Sequence, residues 1–199
     1  MGEKKNSLIF NLVAPIYGLF YKSQKHFYAG ITDDIAKIID LSSINTLVDI
    51  GCGTGALCSV FNDRGLKVTG IDTAARMLSV GRKVQSNKGI DFFQDNFLEG
   101  LSFKDKSFDI SISSYVAHGL VKEERKKLYS EMSRISKKLV IIHDYNEKRA
   151  IKTNLIEWLE GGNYFYFIKH AKSEMEACFS EVKVIKVDSK ANWYICKPF

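Results

Sequence analysis

Leu47-Val48-Asp49-Ile50-Gly51-Cys52-Gly53-Thr54-Gly55 is the stretch whose reading decides the fold. An apolar run carrying an acid at Asp49 meets three glycines at alternate positions, and helix-forming residues follow from Ala56. The pattern predicts a buried strand, a tight turn without Cβ atoms, and a helix N-terminus pointing at a ligand. The glycines are expected to let the ligand lie against backbone N–H groups, and the helix end to favour polar or anionic groups. A glycine loop alone is shared by many nucleotide-binding folds. Here Asp72 stands 21 residues after Gly51 and ends a second apolar run, Val68-Thr69-Gly70-Ile71. A carboxylate at that distance is where a ribose diol is bound in such folds.

Outward from this centre, strands alternate with helices. Phe27, Ile31, Ile35 and Ile38 recur at four- and three-residue spacing and predict a leading helix over 24–41. Strand one is 46–50, and the helix from Ala56 stops at Gly65. Strand two is 67–72, with Thr73 as the expected cap of a helix over 74–87. Ile90 to Gln94 and Phe108 to Ser113 read as strands three and four, and Leu139 to His143 as strand five after a charged helix over 122–137. Ile151, Leu155 and Trp158 then make a helical stripe that stops at Gly161-Gly162. The aromatic run Tyr164-Phe165-Tyr166-Phe167 follows, and Ser173 with Glu176 reads as a capping box for a short helix through Phe179. Glu181–Val187 and Ala191–Lys197, joined by Asp188-Ser189-Lys190, close the chain as an antiparallel hairpin. The expected class is α/β with a mostly parallel sheet, and all of 1–199 is expected to form one domain.

Composition narrows the partners. Cysteines at 52, 58, 178 and 196 have neither metal-ligand nor disulfide-framework spacing, which points to a reducing, cytoplasmic setting. No apolar stretch is long enough to span a membrane, and no signal-peptide layout opens the sequence. The net charge of +6 is concentrated in Lys122 to Lys138, which holds seven basic and three acidic residues. Leu128, Met132, Ile135 and Leu139 give that segment a helical apolar face, so its lysines read as a solvated surface and nucleic acid is not an expected partner. His26, His118, His143 and His170 lack paired metal spacing, so no metal is expected. Ser113 and Ser114 lie outside a nucleophile elbow, which argues against a hydrolase.

Gly51, Gly53 and Ala56 also satisfy a dinucleotide-binding G-x-G-x-x-A, so a nicotinamide-dependent oxidoreductase is a rival reading. Asp49 beside a pyrophosphate would repel it, and the terminal hairpin also speaks against that rival. Asp49-x-Gly51-x-Gly53-x-Gly55, Gly70-Ile71-Asp72-Thr73, Met77-Leu78 with Arg82, Gln94-Asp95-Asn96-Phe97, Ser107-Phe108-Asp109 and Ser113-Ser114-Tyr115-Val116-Ala117-His118 carry a resemblance. The chain resembles the class I S-adenosylmethionine-dependent methyltransferases, and Leu47–Leu120 looks like the small-molecule branch that includes quinone-biosynthesis methyltransferases. Val13-Ala14-Pro15-Ile16-Tyr17 is similar to that branch too, with Gly18 where an aspartate is usual.

The resemblance implies a doubly wound, Rossmann-like sheet of seven strands in the order 3-2-1-4-5-7-6, strand seven antiparallel. It implies S-adenosylmethionine as methyl donor, S-adenosylhomocysteine as product and a small-molecule acceptor. Gly51, Cys52 and Gly53 would admit the methionine portion, with Asp49 holding its ammonium and Asp72 the ribose hydroxyls, beside Thr73 and Met77. Asp95 would meet the adenine amino group, with Asp91 and Asp105 as nearby alternatives, Asn96 and Phe97 would frame the base, and Ser113 and Ser114 would lead towards the sulfonium. Tyr17 would contact the cofactor from an N-terminal lid within 1–41, and 151–179 would line the acceptor pocket. His118, His143 and Tyr115 are the candidate catalytic residues; a neutral His118 is able to take a proton from a hydroxyl, amine or carbon acid. A non-catalytic protein that only binds S-adenosylmethionine is the second rival.

Overall fold

The computed structural model describes residues 3–146 and 163–199. Seven strands form one sheet: β1 (Thr46–Ile50), β2 (Lys67–Asp72), β3 (Asp91–Gln94), β4 (Phe108–Ser114), β5 (Ser136–Tyr145), β6 (Glu181–Lys186) and β7 (Ala191–Lys197). Their order is β3-β2-β1-β4-β5-β7-β6. The pairs from β3 through β5 are parallel, whereas β7 runs antiparallel to both β5 and β6. Asp188 closes the β6–β7 turn by accepting the Ala191 N–H at 2.8 Å. The strand order reverses direction beside β1, and a crevice opens there at the carboxyl ends of β1 and β4.

Period-two alternation explains why an acid can sit inside β1. Val48 and Ile50 join one core layer with Leu128, Met132 and Phe167, while Leu47 joins the other with Ile35, Leu57 and Phe61. Asp49 shares its face with Leu47 and is 2% exposed.

The helices depart from expectation at several points. The helix expected over 24–41 is α2 (Tyr21–Ala36), which starts earlier and stops before Ile38, and a helix not expected from the spacing, α1 (Glu3–Leu19), precedes it. Ile31 and Ile35 are buried as the spacing predicts, but Phe27 and Ile38 are exposed. α3 (Ala56–Asn62) ends before Gly65, which adopts a left-handed φ of 85°. The helix after β2 is shorter than 74–87: α4 (Ala75–Arg82) is followed by a separate 3-10 turn at Gln85–Asn87. Thr73 does not cap α4. Ala74 occupies that position, and its N–H is accepted by Asp72 Oδ1 at 2.7 Å.

α5 (Lys122–Ile135) buries Leu128, Met132 and Ile135 as read, yet one of its basic residues is also internal. Arg125 is 1% exposed, and its guanidinium donates to both oxygens of Glu174 at 2.7 and 2.9 Å. Glu174 belongs to α6 (Asn163–Glu176), which contains the aromatic run. Tyr164, Phe167, Ala171 and Met175 form its buried stripe, so Ser173 lies inside the helix and donates its hydroxyl to the His170 carbonyl at 2.9 Å. The expected capping box is therefore absent. The stripe Ile151, Leu155 and Trp158 and the Gly161-Gly162 break lie outside the described residues.

Gly18 has a packing reason. A Cβ there would stand 2.9 Å from Val80 Cγ1, so glycine lets α1 lie close on α4.

Candidate active site

A cavity of about 350 Å³ opens at the carboxyl ends of β1, β2 and β4, with α1 and α2 over it. That volume lies in the range of small-molecule sites, roughly 300–1,000 Å³. Tyr17, Asp49, Gly51, Cys52, Gly53, Asp72, Thr73, Met77, Asp95, Phe97, Ser114, Tyr115 and His118 all line it. Asn96, Ser113 and His143 do not.

Asp49 is held at the strand end between two layers. Its Oδ2 accepts the Cys58 thiol at 3.2 Å, and its Oδ1 is buried with no partner. Burial pushes its carboxyl up to about 7, with the thiol contact opposing and nearby Asp72 adding to the shift. A lone buried acceptor on a cavity wall calls for a cationic or donor group on the ligand.

The glycine loop works differently from the expectation. Gly51, Gly53 and Gly55 have φ of 78°, 56° and 80°, and a Cβ on Gly51 would come within 2.4 Å of Val116 Cγ2. The loop amides, however, face the protein. Those of Gly51 and Cys52 donate to the Ile71 carbonyl, Gly53 to Asp72 Oδ2 at 2.8 Å, and Gly55 to the Cys52 carbonyl. These four N–H groups are thus committed before any ligand arrives. A pyrophosphate would meet an acid and few donors, whereas a ligand with an ammonium meets the unsatisfied Asp49 oxygen.

Asp72 takes one backbone N–H on each oxygen, from Gly53 and Ala74. Burial raises its pKa, and these backbone bonds pull it back. A carboxylate has about four acceptor positions, so two remain for ribose hydroxyls. Asp72→Ala is expected to weaken S-adenosylhomocysteine about tenfold or more, since a charge-assisted hydrogen bond contributes roughly 1.5–3 kcal/mol. Unchanged affinity by calorimetry would make Asp72 a turn residue only.

After β3, Asp95 Oδ1 accepts the Asn96 N–H at 2.8 Å, and Phe97 is buried beside the cavity. Asn96 turns away: its Oδ1 accepts Leu98 N–H at 2.9 Å and its amide reaches Glu99. It shapes the loop instead of framing a base. Ser113 is likewise internal, donating its hydroxyl to the Ile50 carbonyl at 2.9 Å.

The three catalytic candidates separate. His118 is 6% exposed, and its Nδ1 lies 2.8 Å from Oδ1 of the fully buried Asp144. Asp144 also accepts the backbone N–H groups of His118 and Tyr145, which compensates its burial. A carboxylate at Nδ1 fixes the proton there, so the lone pair of a neutral ring resides on Nε2. His143 is fully buried behind the cavity wall, with Nδ1 2.8 Å from Ser114 Oγ. Burial drives its pKa down to about 4, so it is neutral and out of reach as a base. Tyr115 has a left-handed φ of 55°, rare for a bulky residue, and packs on the rings of His143 and Tyr145. Burial raises its phenol pKa, which makes it a donor and not a base.

The sequence reading missed Asp144 as the partner of His118. It also missed Gln24, which lines the cavity from α2 beside Tyr28. Tyr28 hydroxyl lies 3.0 Å from Ser114 Oγ. Phe27, assigned to the core stripe by its spacing, lines the cavity as well.

Comparison with known proteins agrees with this geometry. The methyltransferase domain family matches residues 48–142. An uncharacterised methyltransferase of Schizosaccharomyces pombe is 28% identical over 107 residues, covering 54% of this chain and 41% of that protein. Another, from Staphylococcus carnosus, is 23% identical over 190 residues, covering 92% of this chain and 89% of its own length. A solved putative S-adenosylmethionine-dependent methyltransferase from Methanococcus maripaludis superposes with a TM-score of 0.65 at 16% identity, covering 94% of this chain and 92% of that one. The methyltransferase-domain match thus falls on the strands that build this cavity, and the fold is that of the solved structure from Methanococcus maripaludis.

Proposed function

We propose that the chain transfers a methyl group from S-adenosylmethionine to a small-molecule acceptor whose proton is removed by His118. The observation that carries this reading is the buried, unpartnered Asp49 oxygen on the wall of a cavity whose glycine-loop amides are already used. Bound S-adenosylmethionine supplies a methyl group already activated by its sulfonium. Asp49 would pair with the ammonium, Asp72 would take the ribose hydroxyls, and Asp95 with Phe97 would hold the adenine. Tyr17, Tyr28 and Gln24 would cover the ligand from above.

Alignment does most of the work. Positioning contributes on the order of 7–11 kcal/mol, and a general base adds about 10²–10⁴-fold. His118, oriented by Asp144, would draw the proton from a hydroxyl, amine or carbon acid onto Nε2 as the acceptor attacks. In this reading 1–199 is one domain and 1–41 forms the lid. The four free cysteines, three of them buried, suit a cytoplasmic setting.

At 100 times its dissociation constant, S-adenosylhomocysteine is expected to stabilise the protein by about 2.7 kcal/mol. For a chain of this size that is a rise of roughly 5–11 °C in Tm. NAD and NADP are expected to leave Tm unchanged; the reverse pattern would overturn the assignment. A methyl-acceptor screen then separates an enzyme from a protein that only binds the cofactor, because the latter consumes no S-adenosylmethionine with any acceptor.

A further inference from the structure

α1 has two faces with different tasks. Ser7, Phe10 and Tyr17 point to the cavity, and Ala14 is buried between them on α4. On the opposite side Leu8, Leu12, Ile16 and Leu19 are 72, 74, 56 and 83% exposed, with Phe20 at 58% continuing the stripe. Their spacing of four, four and three residues makes one unbroken apolar ridge. Scattered exposed leucines are ordinary, but a continuous ridge of this kind marks an interaction surface.

Charge identifies the partner. α1 and the chain after it run alongside α4, in register through Ser7 with Thr73, Asn11 with Arg76, and Tyr21 with Asn87. Between Ser7 and Thr32, and between Thr73 and Ile90, the sequence contains no acid, but it contains Lys22, Lys25, Arg76, Arg82, Lys83 and Lys88. Lys25 is paired with Asp63, and the other five are exposed. An apolar ridge flanked by unneutralised cations matches the layout of a helix that lies in the plane of an anionic bilayer surface. A second copy of the chain would bring like charges together.

We propose that the outer face of α1, with Lys22, Arg76 and Lys83 beside it, docks on an anionic membrane surface. No described helix is long and apolar enough to cross a membrane, so the contact is peripheral. The inner face of the same helix remains over the cavity. The inference goes beyond methyl transfer and is independent of it.

Co-sedimentation of the full chain tests it, with vesicles of phosphatidylcholine alone and of phosphatidylcholine with about one third phosphatidylglycerol. Binding is expected to the anionic vesicles only, falling as salt rises. Leu12→Asp and Ile16→Asp are each expected to weaken it about tenfold or more, because a buried methyl-rich side chain becomes a charge repelled by the lipid. The double variant Arg76→Glu with Lys83→Glu should weaken it without touching the ridge. The thermal shift with S-adenosylhomocysteine should persist in all three, showing that they are folded and that the cofactor site is separate. Absence of pelleting with anionic vesicles would overturn the proposal, as would pelleting insensitive to these substitutions. A dimer in size exclusion that Leu12→Asp converts to monomer, without vesicle binding, would assign the ridge to self-association instead.

Discussion

Replacing Asp49 by Asn is expected to stabilise the ligand-free protein at pH 8 while nearly abolishing cofactor binding. The sign follows from the carboxyl, held at about 7 by burial in the folded state against about 4 in an unfolded chain. Below about pH 4 both states are protonated and the group's contribution to stability is complete. Between about 4 and 7 the unfolded chain ionises first, so stability is lost as pH rises through the folded value. Above that, the deficit is constant, at most about 4 kcal/mol for a shift of about three pKa steps. Asn removes the deficit and keeps an acceptor for the Cys58 thiol. A Tm gain of several degrees at pH 8, fading towards pH 4, is the expected result.

The loaded protein should respond in the opposite direction. Losing one member of a buried charge pair costs about 2–5 kcal/mol, or roughly 30- to 5,000-fold in affinity for S-adenosylhomocysteine. Wild-type affinity should rise about tenfold per pH unit below 7 and then level off, because pairing with the ammonium requires the ionised acid. Calorimetry between about pH 5.5 and 8 measures both quantities. An Asn variant that binds S-adenosylhomocysteine as tightly as the wild type would remove Asp49 from the site.

This trade of stability for binding was half visible in the sequence. An acid two residues before the first glycine stands out because β1 must alternate, and alternation forces residue 49 onto a buried face with Leu47. The closing hairpin is likewise legible in its strand-like runs, whereas the strand order and the gathering of Asp49, Asp72, Asp95 and His118 at one sheet end are what the resemblance implies. The destination of hydrogen bonds does not. Nothing in Gly51-Cys52-Gly53 says that Ile71 and Asp72 accept the loop amides, since that depends on how β2 is set against β1. Asn96 and Ser113 read as ligand groups by position, yet each has a nearer backbone partner. Local geometry decided for that partner.

Helices without a visible period were the other loss. α1 carries apolar residues on both faces, one for the cavity and one exposed, so no single stripe marked it as a helix. Four aromatics in succession at 164–167 hid the stripe Tyr164, Phe167, Ala171 and Met175, which is legible only when the window extends to the end of α6. Arg125 looked like a surface cation because its partner Glu174 is 49 residues away. Pairing at that separation is a tertiary fact.

His143 and His118 were indistinguishable as bases until the structure divided them, and the division leads to the second large effect. With an acceptor identified by the screen, His118→Ala is expected to lower kcat about 10²–10⁴-fold while leaving S-adenosylhomocysteine affinity unchanged. Asp144→Asn should also lower kcat, because an amide no longer fixes the proton on Nδ1. Its distinguishing mark is a fall in kcat of the folded enzyme at unchanged S-adenosylhomocysteine affinity. A merely structural Asp144 would lower Tm and leave kcat of the folded enzyme in place. If His118→Ala turns over at the wild-type rate, the acceptor is nucleophilic without help, and alignment over the strand ends supplies the whole acceleration. Such an outcome would favour an acceptor already ionised at neutral pH and would leave His118 with Asp144 as a clamp holding the turn after β4 against β5.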